Sequence, residues 1–235
     1  LRNPIGNDGL NQLVQAIEGT SVGSICGVPE GAQSMDWEDK GLTPMDMQII
    51  AEDLKLGGHT ASLVSLNMLR NPIEDAGLDT LVGGLKQMAL AGVASIGSIC
   101  GLSAGDSVAK WADRGLAPMD CKIIAADFEL VHVKGTLEAG SGPAYAAELT
   151  HVDISRNELG GQDGRAAAKL VHVVQELGSS IKLEKISIGS GYELVVRQPS
   201  DAQIEATLNV SDQGLDSGYV TMLARWLQVN GKIKH

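Results

Sequence analysis

Gly19-Thr20-Ser21-Val22-Gly23 has the spacing of a nucleophile elbow, in which a strand-to-helix turn lifts a serine oxygen clear for attack on a carbonyl. Here a helical pattern, not a strand, precedes it. The matching stretch further on, Val93-Ala94-Ser95-Ile96-Gly97, keeps the serine and loses a glycine. Both therefore read as turns. The glycine-rich Gly101–Gly105 is followed by no Lys-Ser/Thr that would close a phosphate loop. His59, His132, His151, His172 and His235 show no metal-ligand spacing with one another or with the cysteines. His151 and Asp153 fall two apart on one expected strand face and read as a surface pair. The sequence is that expected of a non-enzyme: no catalytic residue, cofactor site or metal site emerges from it.

The three cysteines, Cys26, Cys100 and Cys121, are odd in number and fit no zinc pattern. They point to a reducing, intracellular compartment. Cys26 and Cys100 follow Ile25 and Ile99 and read as small packing residues. Asn209-Val210-Ser211 is a formal glycosylation sequon with no other sign of secretion beside it. The 18 basic and 29 acidic residues leave a net charge of −11, which repels phosphate backbones and anionic membrane surfaces. The longest uncharged run, Met88–Leu102, is about 15 residues and is broken by glycine and serine, short of the roughly 20 that a membrane helix needs. Nucleic acid and membrane insertion are excluded on these grounds. The start at Leu1, in mid-motif, reads as that of a fragment or processed product.

These residues sit in a repeated frame. Leu1-Arg2-Asn3-Pro4-Ile5 recurs as Leu69-Arg70-Asn71-Pro72-Ile73 and, degenerately, as Ser155-Arg156-Asn157-Glu158-Leu159. Gly23-Ser24-Ile25-Cys26-Gly27 recurs as Gly97-Ser98-Ile99-Cys100-Gly101, with a faint echo at Ile188-Gly189-Ser190-Gly191. Gly41-Leu42-Thr43-Pro44-Met45-Asp46 recurs as Gly115-Leu116-Ala117-Pro118-Met119-Asp120, with a last echo at Gly214-Leu215-Asp216. The chain divides into three super-repeats, 1–68, 69–154 and 155–235, with a loop insertion at 131–148.

Within a unit, Leu66 and Met68 alternate as strand residues facing one side. Asn71 follows where the chain turns, and its amide can satisfy free backbone groups. Gly77, Leu78, Leu81 and Leu85 then space out a helical stripe. Met35 and Trp37 precede a helix over Pro44–Leu54. Ala109 and Trp111 precede one from Pro118 to about Leu130. Val152 and Ile154 precede one near Arg165–Leu177, and Leu208 and Val210 one near Gly218–Val229. The two tryptophans occupy core slots. The Gly-Ser-Ile-Cys-Gly copies are expected to add further short strands.

The pattern Leu-x-x-Leu-x-Met-x-x-Asn-x-Ile over Leu63–Ile73, with its helical leucine stripe, resembles a leucine-rich repeat of the ribonuclease-inhibitor-like kind that also occurs in NOD-like receptors. The units carrying Trp37 and Trp111 depart from it, with Lys40 and Arg114 at the asparagine position. The resemblance implies an α/β class and a curved leucine-rich-repeat solenoid, parallel strands on its concave face and helices on its convex face. It also implies a scaffold or interaction module that binds another protein or joins a multi-subunit assembly. The alternative is the ligand-sensing region of a larger receptor-like protein. The expected contact residues are the outward strand positions Ser34, Asp36, Glu38, Ser65, Asn67, Leu69, Lys110, His151, Asp153, Ser155, Asn209 and Ser211, with Val108, Ala112 and Thr207 beside them.

Overall fold

The computed structural model describes residues 1–91, 96–137, 144–161, 164–177, 181–189, 192–195 and 215–230. Its elements, in order, are α1 (Gly6–Ile17), β1 (Ser34–Asp36), α2 (Pro44–Leu56), β2 (Ser65–Asn67), α3 (Glu74–Leu90), β3 (Val108–Lys110), α4 (Pro118–Leu137), β4 (His151–Asp153), α5 (Arg165–Leu177), β5 (Lys185–Gly189), β6 (Tyr192–Val195) and α6 (Ser217–Asn230). Each helix packs against the next one along the chain. Among the described residues, no helix is long and apolar enough to cross a membrane.

Helix starts follow from local chemistry. Pro44 opens α2, where its missing N–H costs nothing. Asp46, three residues after Thr43, accepts the Thr43 N–H at 2.9 Å and its hydroxyl at 2.8 Å. Pro118 and Asp120 repeat the arrangement at α4, where Asp120 takes the Ala117 N–H at 2.8 Å. At α6, Asp216 accepts the N–H groups of Gly218 at 2.8 Å and Tyr219 at 3.1 Å.

The strands correct the expected leucine-rich-repeat solenoid. Among the described residues, one continuous parallel sheet does not form. The described strands make a two-stranded parallel sheet, β1-β2, and a four-stranded sheet, β3-β4-β5-β6, whose last pair is antiparallel. The fold is mixed α/β with two small sheets. The break falls where another segment occupies the β2 edge. On the side of β2 away from β1, Leu66 donates to the Ser98 carbonyl at 2.8 Å and Met68 to that of Ile99 at 3.0 Å, while Gly101 donates to Leu66. This edge is therefore filled by the Gly-Ser-Ile-Cys-Gly segment, not by β3. That segment contributes only isolated bridges at Ser98 and Cys100, and its first copy forms no strand.

The interior is mostly aliphatic, with a few buried aromatic rings. Leu66 and Met68 are fully buried, Trp37 and Trp111 are buried, and Met35 is half-buried beside them. Within the expected loop insertion at 131–148, the described residues are not a plain surface loop. Its start continues α4, and Ala144–Ala147 forms a 3-10 turn that buries Tyr145 and Ala146.

Two kinds of polar joint tie successive turns together. In the first, the Asn71 Oδ1 accepts the N–H groups of Lys40 at 3.0 Å and Leu42 at 2.9 Å, and its Nδ2 donates to the Trp37 carbonyl at 2.7 Å. Asn157 does the same to Arg114, Leu116 and Trp111, at 3.1, 2.9 and 2.8 Å. In the second, the Asp46 carboxylate takes the Arg2 N–H at 2.5 Å, Asp120 that of Arg70 at 2.6 Å, and Asp216 that of Gly160 at 2.7 Å. The groups concerned are backbone N–H groups and carbonyls that turns would otherwise leave unpaired.

A third contact brings backbones together. A Cβ on Gly58 (φ +27°) would lie 2.1 Å from the Gly23 carbonyl oxygen, and His59 donates its backbone N–H to that oxygen at 2.7 Å. Gly58→Ala is expected to lower stability by about 2 kcal/mol, read as a shift in the urea midpoint. An unchanged midpoint would mean that this approach is not tight.

Candidate functional site

The turn after each of β1–β4 places a charged residue in the left-handed region, a conformation that costs a side-chain-bearing residue about 1 kcal/mol. The same site also occurs near the N-terminus. Along the chain the residues alternate in sign: Arg2 (φ +61°), Asp39 (+55°), Arg70 (+60°), Asp113 (+57°) and Arg156 (+55°). Neighbours of opposite sign meet across the joints. Arg70 Nη2 lies 3.0 Å from Asp39 Oδ2, and Arg156 Nε lies 3.9 Å from Asp113 Oδ2.

Glu38 is the centre of this face. Its side chain is only 9% exposed. Its Oε2 accepts the Asn67 amide at 2.9 Å and a short hydrogen bond from the Arg114 guanidinium. Its Oε1 lies 3.7 Å from Arg70 Nη1 and has no hydrogen-bond partner among the described residues. Asn67 Nδ2 also reaches Asp36 Oδ1 at 3.1 Å. Three successive strand-turn segments thus converge on one carboxylate. Arg114→Ala removes the nearer guanidinium from a shielded charge and is expected to destabilise by about 1 kcal/mol, the arginine being partly solvated. Chemical denaturation checks this, and no change would mean that solvent already screens Glu38.

Of the strand positions expected to face solvent, Ser34, Asp36 and Lys110 are exposed, and Glu38, Asn67, His151 and Asp153 are half-buried. Three are corrected. Leu69 is fully buried, because β2 ends at Asn67 and the turn at Arg70 breaks the alternation, so Met68 and Leu69 both enter the core. Ser65 is buried beneath the segment on the β2 edge and donates to the Leu102 carbonyl at 3.1 Å. Ser155 is buried in the turn after β4, where its hydroxyl donates to Asp153 at 2.7 Å. Asn209 and Ser211, with Thr207, lie outside the described residues. His151 Nε2 is 2.7 Å from Ser187 Oγ, so its ring contact is with the neighbouring strand.

The left-handed Arg and Asp positions went unused in the sequence reading. Their signal was there: each directly precedes the Asn, Lys or Arg of the aligned turns. Lys40 and Arg114, noted only as departures from asparagine, lie on this same turn line.

A second cluster carries chemistry-bearing groups and is sealed. Asp127, on α4, is completely buried and accepts from Ile99 N–H at 2.7 Å, Cys100 Sγ at 2.8 Å, Ser98 Oγ at 2.9 Å and Tyr145 OH at 3.1 Å. Burial pushes its carboxyl up to about 6, against these four donors. Burial, then the Asp127 charge, pushes the Cys100 thiol up as well, so it is a poor nucleophile. Asp53 holds the first copy in the same way, taking Ser24 Oγ at 2.6 Å and Ile25 N–H at 2.8 Å. The cysteines read as packing residues are thus part of a buried carboxylate clasp that fastens the Gly-Ser-Ile-Cys-Gly segments to α2 and α4.

Other candidates assemble nothing. Ser21 lies exposed in the turn after α1, with no strand before it. Among the described residues, no group of three His, Cys, Asp or Glu is placed to hold a metal. An open groove of about 440 Å³ lies among α1, α2 and α3, lined by residues such as Asn7, Gln48, Glu52 and Gln87. Compared with known proteins, the chain matches no family model and no curated sequence.

Proposed function

We propose that this chain is a protein-interaction module whose docking surface is the strand-and-turn face around Glu38. One observation carries the reading. Glu38 is pinned by Asn67, Arg70 and Arg114 from two further strand-turn segments, so a lattice of charges is set in place before any partner arrives. Preorganised polar groups lose little freedom on binding, and they favour a partner of complementary charge. Asp36 and Lys110 stand exposed on this face, with His151 and Asp153 half-exposed along β4. The net charge of −11 directs the choice toward polypeptide and away from nucleic acid.

Amine crosslinking with mass spectrometry, on material from the native source, tests the reading. Partner crosslinks are expected at Lys40 and Lys110 on the strand-and-turn face. Crosslinks confined to Lys55 and Lys169 on the helices, or none to any other protein, would overturn it.

A further inference from the structure

Two adjacent strands bring a hydroxyl and an imidazole into contact on one side of the second sheet. In β4 and β5, Val152, Ile186 and Ile188 are buried, and alternation turns His151, Asp153, Lys185 and Ser187 to the other side. The parallel register sets Lys185 opposite His151 and Ser187 opposite Asp153. Across the diagonal of these four, His151 Nε2 lies 2.7 Å from Ser187 Oγ. Both residues are half-buried, so the pair keeps an accessible side.

The charges around the pair are committed to other groups. Asp153 Oδ1 takes the Ser155 N–H at 3.1 Å and its hydroxyl at 2.7 Å, and Lys185 Nζ meets Glu193 Oε1 at 2.6 Å. Among the described residues, neither Asp153 nor Lys185 bonds the ring or the Ser187 hydroxyl. The pair is thus a dyad without a third, orienting group. The β5-β6 register shifts between Ser187 and Gly189; such bulges re-aim side chains and are over-represented beside reactive sites. With the ring proton on Nδ1, Nε2 is free to take the hydroxyl proton, the arrangement that activates a serine oxygen as a nucleophile.

We propose that Ser187 is a site of covalent acylation, with His151 as its general base and an activated ester as the acyl donor. Ser187 Oγ bonds to the ester carbonyl carbon, and the bond from that carbon to the leaving oxygen breaks. The Ser187 proton passes to His151 Nε2 and from there to the departing oxygen. β5 is paired on both sides, so its backbone N–H groups serve the sheet and are not gathered into an oxyanion hole. The donor must therefore carry a good leaving group, and the acyl-serine persists without turning over. Spacing along the chain hides the pair, since 36 residues separate its members. The acylation needs no protein partner and stands independently of the docking function proposed above.

Treatment of the 235-residue chain with p-nitrophenyl acetate, followed over time by peptide mass mapping, tests this. Ser187 is expected to gain an acetyl group at least about tenfold faster than Ser21, which is exposed and bonds no histidine among the described residues. His151→Gln can still hydrogen-bond the Ser187 hydroxyl but takes no proton from it. It is expected to slow acetylation of Ser187 about 100-fold with the circular dichroism unchanged. Acetylation of Ser187 no faster than that of Ser21 overturns the proposal, and this comparison within the native chain holds even if the variant fails to fold. An undiminished rate at Ser187 in a folded His151→Gln chain overturns it as well.

Discussion

Asn71→Ala lowers the stability of the folded chain by about 4 kcal/mol, an expectation that follows from what the amide leaves behind. Asn71 is 4% exposed and makes five hydrogen bonds to backbone groups: it accepts from Lys40 and Leu42 and donates to the carbonyls of Trp37, Met68 and Leu69. Alanine fills none of these, and each buried group stranded without water costs about 1–3 kcal/mol. Local relaxation admits solvent to some of them, which keeps the total below the sum. Denaturant titration reads the loss directly. Asn157→Ala, with the same five kinds of bond, is expected to behave alike. Asn3→Ala is the control, since the Asn3 side chain is exposed and bonds only the Leu1 carbonyl among the described residues; its cost is within about 0.5 kcal/mol. A loss of under 1 kcal/mol at Asn71 would mean that the turns are held by apolar packing alone.

Asp127→Asn is expected to change how stability depends on pH. The Asp127 carboxyl titrates near 6 in the folded chain, against an ordinary value of 3.8. Between these values the folded form keeps a proton that the unfolded chain has lost. Its contribution to stability therefore falls as pH rises through this window and is flat above it, a change of about 3 kcal/mol. Asparagine carries no charge to bury, and its amide can still accept the Ile99 N–H. The variant is expected to match the native chain near pH 4 and to exceed it by about 3 kcal/mol at pH 8. Asp46 works in the opposite sense. Burial raises its carboxyl, but bonds from the Arg2 N–H and from the Thr43 N–H and hydroxyl outweigh this and hold it below the ordinary value. Its contribution is lost as pH falls, so the difference between variant and native chain, not the native profile alone, isolates Asp127. A difference independent of pH would contradict the account.

Much of the local structure was legible because it is dictated locally. The Pro44 and Pro118 helix starts, the inward Leu66 and Met68, and the amide of Asn71 follow from spacing and turn chemistry. The pairing of strands was not legible. The β2 edge is taken by Gly97–Gly101 and not by β3, through backbone bonds that no side-chain pattern records. The antiparallel β5-β6 pair lies in a stretch with little repeat signal. Leu69 and Ser65 were misplaced because a period of two ends where the strand does, and here each strand lasts three residues. Of the candidate face, Asp36, Glu38, Asn67 and Lys110 were legible by alternation. Arg70 and Arg114 were not, since they reach Glu38 from turns set by left-handed backbone and by partners in other units.

Binding of the crosslinked partner by two charge-altered chains tests the docking face most directly. One carries Asp36→Lys with Lys110→Glu, both exposed on the strand-and-turn face; the other carries Lys55→Glu on α2. The account predicts that the first chain, still folded, loses partner affinity about tenfold or more while the second retains it. Full affinity in the first with loss in the second would place the interface on the helices and contradict the account.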